Sequence, residues 1–408
     1  MAETRTVARA EVPLGRLGPF LLLGQLAWAL PGAASGTLLA ALLATAAPEH
    51  KVAVFTAYSV AGAVTSAIGT VLGGLLSDRT RSRLGRRSPW LLGSALLSAA
   101  ALTAAGLTTD LVLIGVCNAV FQLGVGAWTA ALSALIPDHV SARAVGRASS
   151  FAGFGFLLGQ TAGGIVAGAL VTSPVRGLIV VPWIMVVAAV VVALAVPGRD
   201  NRDEPRPPGG RIVPRDLLPP SSRDFWLAFA GRFLFILAIL MITVFQLYLL
   251  TDYLRLPIEE AGRVVGLATL LVGALSAVSV VVAGVLSDRL GRLKPVVGGA
   301  PVLLAAGLVP LLAAPSLATD LVFFAIVGVT LGAYLSVDQA LMVAVLPDRE
   351  TAARDLGVLS IGSTLPGVVA PVVGGALAGA VGYLAVFVAA LVLAVAAAAV
   401  VLGIRSVR

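Results

Sequence analysis

Two charged residues stand where their neighbours are apolar. Arg232 lies in the run 225–251 and Asp338 in the run 320–346. A charge inside hydrocarbon costs at least about 2.5–3.5 kcal/mol on insertion scales, so such a residue marks a function by default. Asp338 comes nine residues before Pro347, about 13 Å along a helix, which sets it near the middle of a bilayer. An acid and a base at that depth can take up, hold and release a proton, so Asp338 and Arg232 are the candidate proton-coupling pair. Tyr334 precedes Asp338 by four residues and Gln339 follows it directly, giving that helix a polar stretch. Other polar side chains recur at helical spacing. Gln25, Trp28, Gly32 and Ser35 share a face; Asn118, Gln122 and Thr129 share another; Arg232, Ile239 and Gln246 recur every seven residues. Amides and a tryptophan suit solute hydroxyls and a sugar ring face. Gln25, Trp28, Asn118, Gln122, Gln246, Tyr334 and Gln339 are therefore the candidate solute-binding set, and interhelical hydrogen bonding is the plainer alternative for each amide.

The apolar background is extensive. Of 408 residues, 59% are hydrophobic and 12% charged, against roughly 25% charged in a soluble domain. Mean hydropathy is +1.01. The chain reads as an all-α polytopic membrane protein. The net charge of +8 sits in loops between apolar runs, the pattern of topology signals rather than of nucleic-acid binding. One cysteine, Cys117, rules out a disulfide within the chain, and His50 and His139 have no metal-ligand spacing. No G-x-x-x-x-G-K, H-E-x-x-H or G-x-S-x-G stretch occurs, so neither ATP-driven chemistry nor a common hydrolase is indicated. No enzyme and no cofactor is expected.

Helical spans need about 20 mainly apolar residues. Twelve runs qualify, at about 17–45, 52–76, 90–109, 111–136, 149–171, 177–196, 225–251, 262–286, 296–314, 320–346, 356–380 and 382–404. The first is too long for a signal-peptide core and counts as span 1. The stretch 197–223 is rich in Arg and Pro and reads as a linker between an N-terminal half, 1–196, and a C-terminal half, 224–408. Basic short loops stay cytoplasmic. The loop between spans 2 and 3 holds Arg79, Arg81, Arg83, Arg86 and Arg87, which fixes its side and puts both termini in the cytoplasm. On that reading only Lys51, Arg176, Arg255 and Arg263 of the 28 basic residues face outward, with Arg232 inside a span.

The halves repeat. Ser77-Asp78-Arg79 recurs as Ser287-Asp288-Arg289, Thr109-Asp110-Leu111-Val112 as Thr319-Asp320-Leu321-Val322, and Pro137-Asp138 as Pro347-Asp348, each 210 residues later. Gly146, Gly164 and Gly168 match Gly357, Gly375 and Gly379 at 211. A constant offset signals duplication. Six spans per copy make the repeats parallel, and a solute site between them is the expectation.

The second hairpin, Gly284 through Ser287-Asp288-Arg289-Leu290-Gly291-Arg292, resembles the signature loop of the major facilitator superfamily, G-x-x-x-D-R-x-G-R. The first, with Gly74, Asp78 and Arg79, carries Thr80-Arg81-Ser82-Arg83 before Gly85-Arg86-Arg87 and ends at Pro89-Trp90. That longer form resembles the glycoside–pentoside–hexuronide:cation symporters and the related sucrose–proton symporters. The resemblance implies a twelve-span transporter of the major facilitator fold in which spans 1, 4, 7 and 10 line the cavity. It also implies a cytoplasmic gate built from Gly74, Asp78, Arg79, Gly85, Arg86, Asp288 and Arg289. Melibiose-type members carry cation-binding aspartates in span 2; here 52–76 has no acid, which points to protons rather than sodium. Gly155, Gly159, Gly163 and Gly164 in span 5 resemble the antiporter motif of drug exporters, with Gln160 in the place of a proline, and close helix packing is the alternative.

The expectation is a secondary transporter of a small polar organic solute, taking up a sugar or glycoside with a proton by alternating access. Proton-driven export of a drug or metabolite is the alternative, and a sensor that has lost transport is a remote one. Arg-over-Lys usage and abundant Ala suggest a GC-rich bacterial genome, hence the bacterial cytoplasmic membrane. The expected partners are the solute, protons and the lipid bilayer, with no nucleic acid, for a protein acting as a monomer.

Overall fold

A computed structural model describes residues 14–140, 144–195, 222–290, 294–345 and 352–404. The linker 197–221 lies outside them, as do Gly291 and Arg292 and the side chains of Asp288 and Gln339.

Among the described residues twelve helices are long and apolar enough to cross a membrane: Leu17–Ala46, Lys51–Arg79, Ser88–Leu107, Leu111–His139, Val145–Leu170, Pro174–Ala195, Arg223–Thr243, Ile258–Ser287, Lys294–Ala313, Leu317–Asp338, Val358–Ala380 and Tyr383–Leu402. These are spans 1 to 12, and they match the sequence reading closely. Helices form because hydrocarbon offers backbone N–H and C=O groups no partner outside the segment. Two connections require glycine. Gly85 turns the hairpin after span 2 at φ 79°, and Gly382 joins spans 11 and 12 at φ 105°, a region L side chains rarely adopt.

Among the described residues four spans are interrupted, the mildest being span 4, which divides at Ala134 into Leu111–Ser133 and Leu135–His139. Span 6 is two helices, Pro174–Val180 and Trp183–Ala195, and Pro182 between them cannot continue the ladder. Span 11 breaks between Ala352–Thr364 and Pro366–Ala380 for the same reason. Span 7 stops at Thr243 with no proline nearby; a short turn, Gln246–Tyr248, and a π-helical turn, Leu249–Tyr253, follow. Gln246 thus opens the short turn that follows the main helix of span 7.

Several spans turn large aliphatic side chains outward, as Val71, Leu75, Val281 and Val282 do, and alanines inward, as Ala95, Ala99, Ala127 and Ala131 do. Lipid is as apolar as leucine, so close approach through small residues drives the packing.

The chain forms two compact units. One holds residues 14–35, 61–163 and 174–195; the other holds 36–60, 164–173 and 222–404. In the first, span 5 lies tightly on span 1. A Cβ on Gly155 would stand 2.2 Å from the Leu22 carbonyl oxygen, one on Gly159 2.8 Å from the Leu26 carbonyl oxygen and 2.7 Å from the Ala29 Cβ, and one on Gly163 2.4 Å from the Leu30 carbonyl oxygen. Glycines four residues apart thus meet positions four residues apart on the neighbour. The second unit is centred on Phe225, Phe235, Phe323, Phe324, Phe387, Leu304 and Leu308.

Candidate functional site

In the second unit Arg232 and Asp338 meet. Arg232 Nη1 lies 3.0 Å from Asp338 Oδ2, with side-chain exposures of 12% and 4%. The pair is thus out of reach of bulk water, where an ion pair would be worth little. Arg232 Nη2 donates to Ser363 Oγ of span 11 at 3.3 Å, and Nη1 also rests against Met342 Sδ of the span 10 helix. Phe235, one turn beyond Arg232, stacks on Tyr334 with ring centroids 4.6 Å apart. Tyr334, one turn before Asp338, sets its hydroxyl against the same carboxylate. The two helices therefore meet in consecutive rungs, aromatic on aromatic and cation on anion. The pairing is incomplete: Arg232 Nε and Asp338 Oδ1 are both buried without a hydrogen-bond partner. One donor and one acceptor remain unspent in a dry site, where an orphaned polar group costs most. Such a carboxylate can bind a proton, and such a pair can accept a ligand that offers a donor and an acceptor.

Gln246 is buried at the break in span 7, and its Nε2 also lacks a partner.

The remaining candidates gather in the first unit. Trp28 Nε1 donates to Gln25 Oε1 at 2.6 Å, and the Trp28 ring lies 5.4 Å from that of Phe156 in span 5. Gly32 has Trp28 as its nearest side chain, and Ser35 donates to the Gly32 carbonyl at 3.0 Å, so that face of span 1 is continuous. On span 4, Asn118 and Gln122 both point at Gly62 of span 2, where a Cβ would stand 3.3 Å from Asn118 Nδ2 and 3.1 Å from Gln122 Cγ. Trp128 is turned elsewhere, fully buried and donating to the Gly24 carbonyl at 3.1 Å.

The hairpin after span 2 is a charge network. Arg87 Nη2 lies 2.6 Å from Asp78 Oδ1, Arg87 Nε 3.0 Å from Asp138 Oδ2, and Arg87 Nη1 2.6 Å from Ser77 Oγ. Arg86 pairs with the same Asp138, its Nε at 3.2 Å. Trp90 Nε1 donates to Thr80 Oγ1 at 2.7 Å. Arg79 is exposed, and Gly74 has open space beside it. Asp78 is half-exposed at 51% while Arg87 and Asp138 are at 9% and 10%, so the buried centre is Arg87–Asp138. The sequence reading passed over both as gate residues. The recurrence of Pro137-Asp138 as Pro347-Asp348 was the signal that could have found Asp138. Arg289 is exposed.

Comparison with solved structures gives fold-level likeness. A single-residue variant of the nucleoside transporter NupG superposes at a TM-score of 0.71 with 15% identity, covering 95% of this chain and 99% of that one. A bacterial homologue of the human lysosomal transporter Spinster, in its inward-facing and occupied conformation, gives 0.66 at 14% identity, covering 92% and 95%. No curated protein sequence matches the chain. The family model of the Major Facilitator Superfamily matches residues 21–262 and 256–408, nearly the whole chain. With twelve spans, an internal repeat and that match, the chain belongs to the Major Facilitator Superfamily, a family of transporters of small-molecule solutes and not of enzymes.

Proposed function

We propose that this protein takes up a sugar or glycoside together with a proton by alternating access. The observation that carries the reading is the buried, half-satisfied Arg232–Asp338 pair with Tyr334 against it. A carboxylate with one free oxygen has room for a proton, and protonation releases Arg232 from this ion pair. The coupling is then a change of partner: Arg232 holds Asp338 when the acid is charged and is free to hold solute when it is not. In the other unit the Gln25 carbonyl oxygen is taken by Trp28, which leaves the amide N–H groups of Gln25 for solute oxygens. Asn118 and Gln122 add two more amides beside Gly62. Trp28 offers the apolar ring face that a sugar needs. The extended hairpin from Asp78 to Trp90 supports the sugar–proton branch. Its arginines give the orientation: that end faces the cytoplasm of a bacterial cell, and a single chain carries every element invoked.

A nucleoside is the second solute class. The Trp28–Phe156 aromatic pair suits a base, and the NupG likeness raises that reading. Proton-driven export is the rival in direction. Of the span 5 glycines that resemble the antiporter motif, Gly155, Gly159 and Gly163 pack on span 1 and Gly164 on Thr269 of span 8, which supports the packing alternative.

The test is Asp338→Asn in proteoliposomes. Concentrative, proton-driven uptake should be lost while exchange of solute down its gradient persists. Unchanged accumulation would remove Asp338 from the mechanism.

A further inference from the structure

The two repeats pack differently toward the hairpin end. In the first, Gly69 and Gly73 of span 2 lie so close to span 4 that a Cβ would strike the Leu123 carbonyl and the Ala127 backbone. The 210-residue offset sets Ser279 and Ala283 at the matching places in span 8. Spans 8 and 10 make their close approach farther from the hairpin, at Gly328 on Val272 and Gly332 on Ser276. Nearer the hairpin a groove of about 290 Å³ lies between spans 8, 9 and 10.

The groove is apolar. Small residues line it, Ala283, Gly299, Ala300 and Ala333, and Gly299 has no atom within 4 Å of the place of a Cβ. Val282, Leu286 and Leu303 stand exposed along it. Ser279 and Thr330 bring hydroxyls, and both are spent. Ser279 Oγ donates to the Val329 carbonyl at 2.7 Å and Thr330 Oγ1 to the Val327 carbonyl at 3.1 Å. The lining therefore offers hydrocarbon to hydrocarbon and no free donor to a polar solute.

Charge stands at one end. The span 8 helix runs on to Leu290, and Arg289, one turn beyond Leu286, is exposed. Lys294 opens span 9 beside Pro295 of the groove and is half-buried. Its Nζ donates once, to the Ile404 carbonyl at 2.7 Å, which leaves two of its three N–H donors. Among the described residues no acid lines the groove.

We propose that this groove is the site of one anionic phospholipid from the leaflet on the hairpin side, an acyl chain lying between spans 8 and 9 and the phosphate on Arg289 and Lys294. A chain alone would select nothing, because lipid tails and apolar side chains are alike to one another. The groove fixes where the lipid sits, and the two cations fix which lipid sits there. Basic residues at the membrane surface favour anionic lipid by about 1 kcal/mol each, about fivefold in binding. Nothing in this depends on the solute or on proton coupling.

The repeat supplies a matched control. The four extra residues of the first hairpin reduce the offset to 206 in the next span, so Pro89 matches Pro295 and Gly93 matches Gly299. Gly93 also has open space beside it. A leucine at either place thus meets no protein atom, and the fold is not at risk.

The test is native mass spectrometry of the full chain in detergent, titrated with phosphatidylglycerol or with phosphatidylcholine of the same chains. Binding is read without transport, so a part for Arg289 in gating does not enter. The parent should hold its first phosphatidylglycerol about fivefold more tightly than phosphatidylcholine, or better. Arg289→Gln should cut that preference about fivefold. Gly299→Leu should lose the first bound lipid of either kind, and Gly93→Leu should keep it. Equal binding of the two lipids by the parent would overturn the proposal. So would a Gly299→Leu variant that retains the lipid, or a Gly93→Leu variant that loses as much.

Discussion

Arg232 and Asp338 make one contact where a guanidinium and a carboxylate can make two parallel ones, and that shortfall is what the transport reading depends on. Each holds the other's charge in a site with little water. Removing one should therefore be worse than removing both. Asp338→Ala alone should lower stability by about 3–5 kcal/mol, the usual cost of an uncompensated buried charge, while Asp338→Ala with Arg232→Met should lie much closer to the parent. Thermal unfolding in detergent reads the difference; equal losses would mean that the two charges are not coupled. Both residues were legible in the sequence, because a charge inside an apolar run has few structural excuses. Ser363 and Met342, which complete the surroundings of Arg232, were not, since serine and methionine are ordinary inside membrane helices. Asp138 was half-legible: the duplication marked it, but nothing in its own stretch said that it would collect Arg86 and Arg87. Asp138→Ala would leave Arg87 with Asp78 and Ser77 and should cost about 1–3 kcal/mol, the worth of hydrogen bonds to charged groups. The same melting experiment checks it, and a change below about 0.5 kcal/mol would place the pair among the surface ion pairs that contribute little.

At the scale of elements, the contacts of the span 5 glycines support the packing alternative that the sequence offered. Their spacing fitted both an antiporter signature and close packing, and a motif alone does not say what it touches. Gly155, Gly159 and Gly163 face the span 1 backbone and Ala29 with no room for a Cβ, whereas Gly153 has open space. Gly159→Leu should separate spans 1 and 5 and cost about 1–3 kcal/mol or more, as overpacking does; Gly153→Ala should be tolerated. Equal tolerance at the two positions, measured as surviving folded protein after heating, would contradict the packing. The interruptions divide in the same way. Those in spans 6 and 11 were marked by Pro182 and Pro366. The one in span 7, after Thr243, carries neither proline nor glycine. It leaves Gln246 in a short turn beyond the main helix of span 7.

Across the whole molecule, twelve spans were readable because hydrocarbon admits so few backbone solutions, and the duplication because its offset held constant over several loops. The compact units were not readable. Residues 36–60 and 164–173 come from the first repeat yet group with 222–404. What ties them there is pairwise: Lys51 with Asp252, Tyr248 with Ala40, and Gly164 close against Thr269. Each joins positions remote in sequence and has no local signature. The solute was no more legible, since amides and an aromatic pair suit several polar metabolites. The central claim is that movement of solute and proton is one event routed through Asp338. The most direct test is a pH-sensitive dye sealed inside proteoliposomes, with sugars, glycosides, nucleosides and cationic drugs added outside in turn. The account predicts internal acidification on addition of a sugar or glycoside, abolished by Asp338→Asn. Solute entry with no proton movement, or alkalinisation of an acid-loaded interior by a drug, would contradict it.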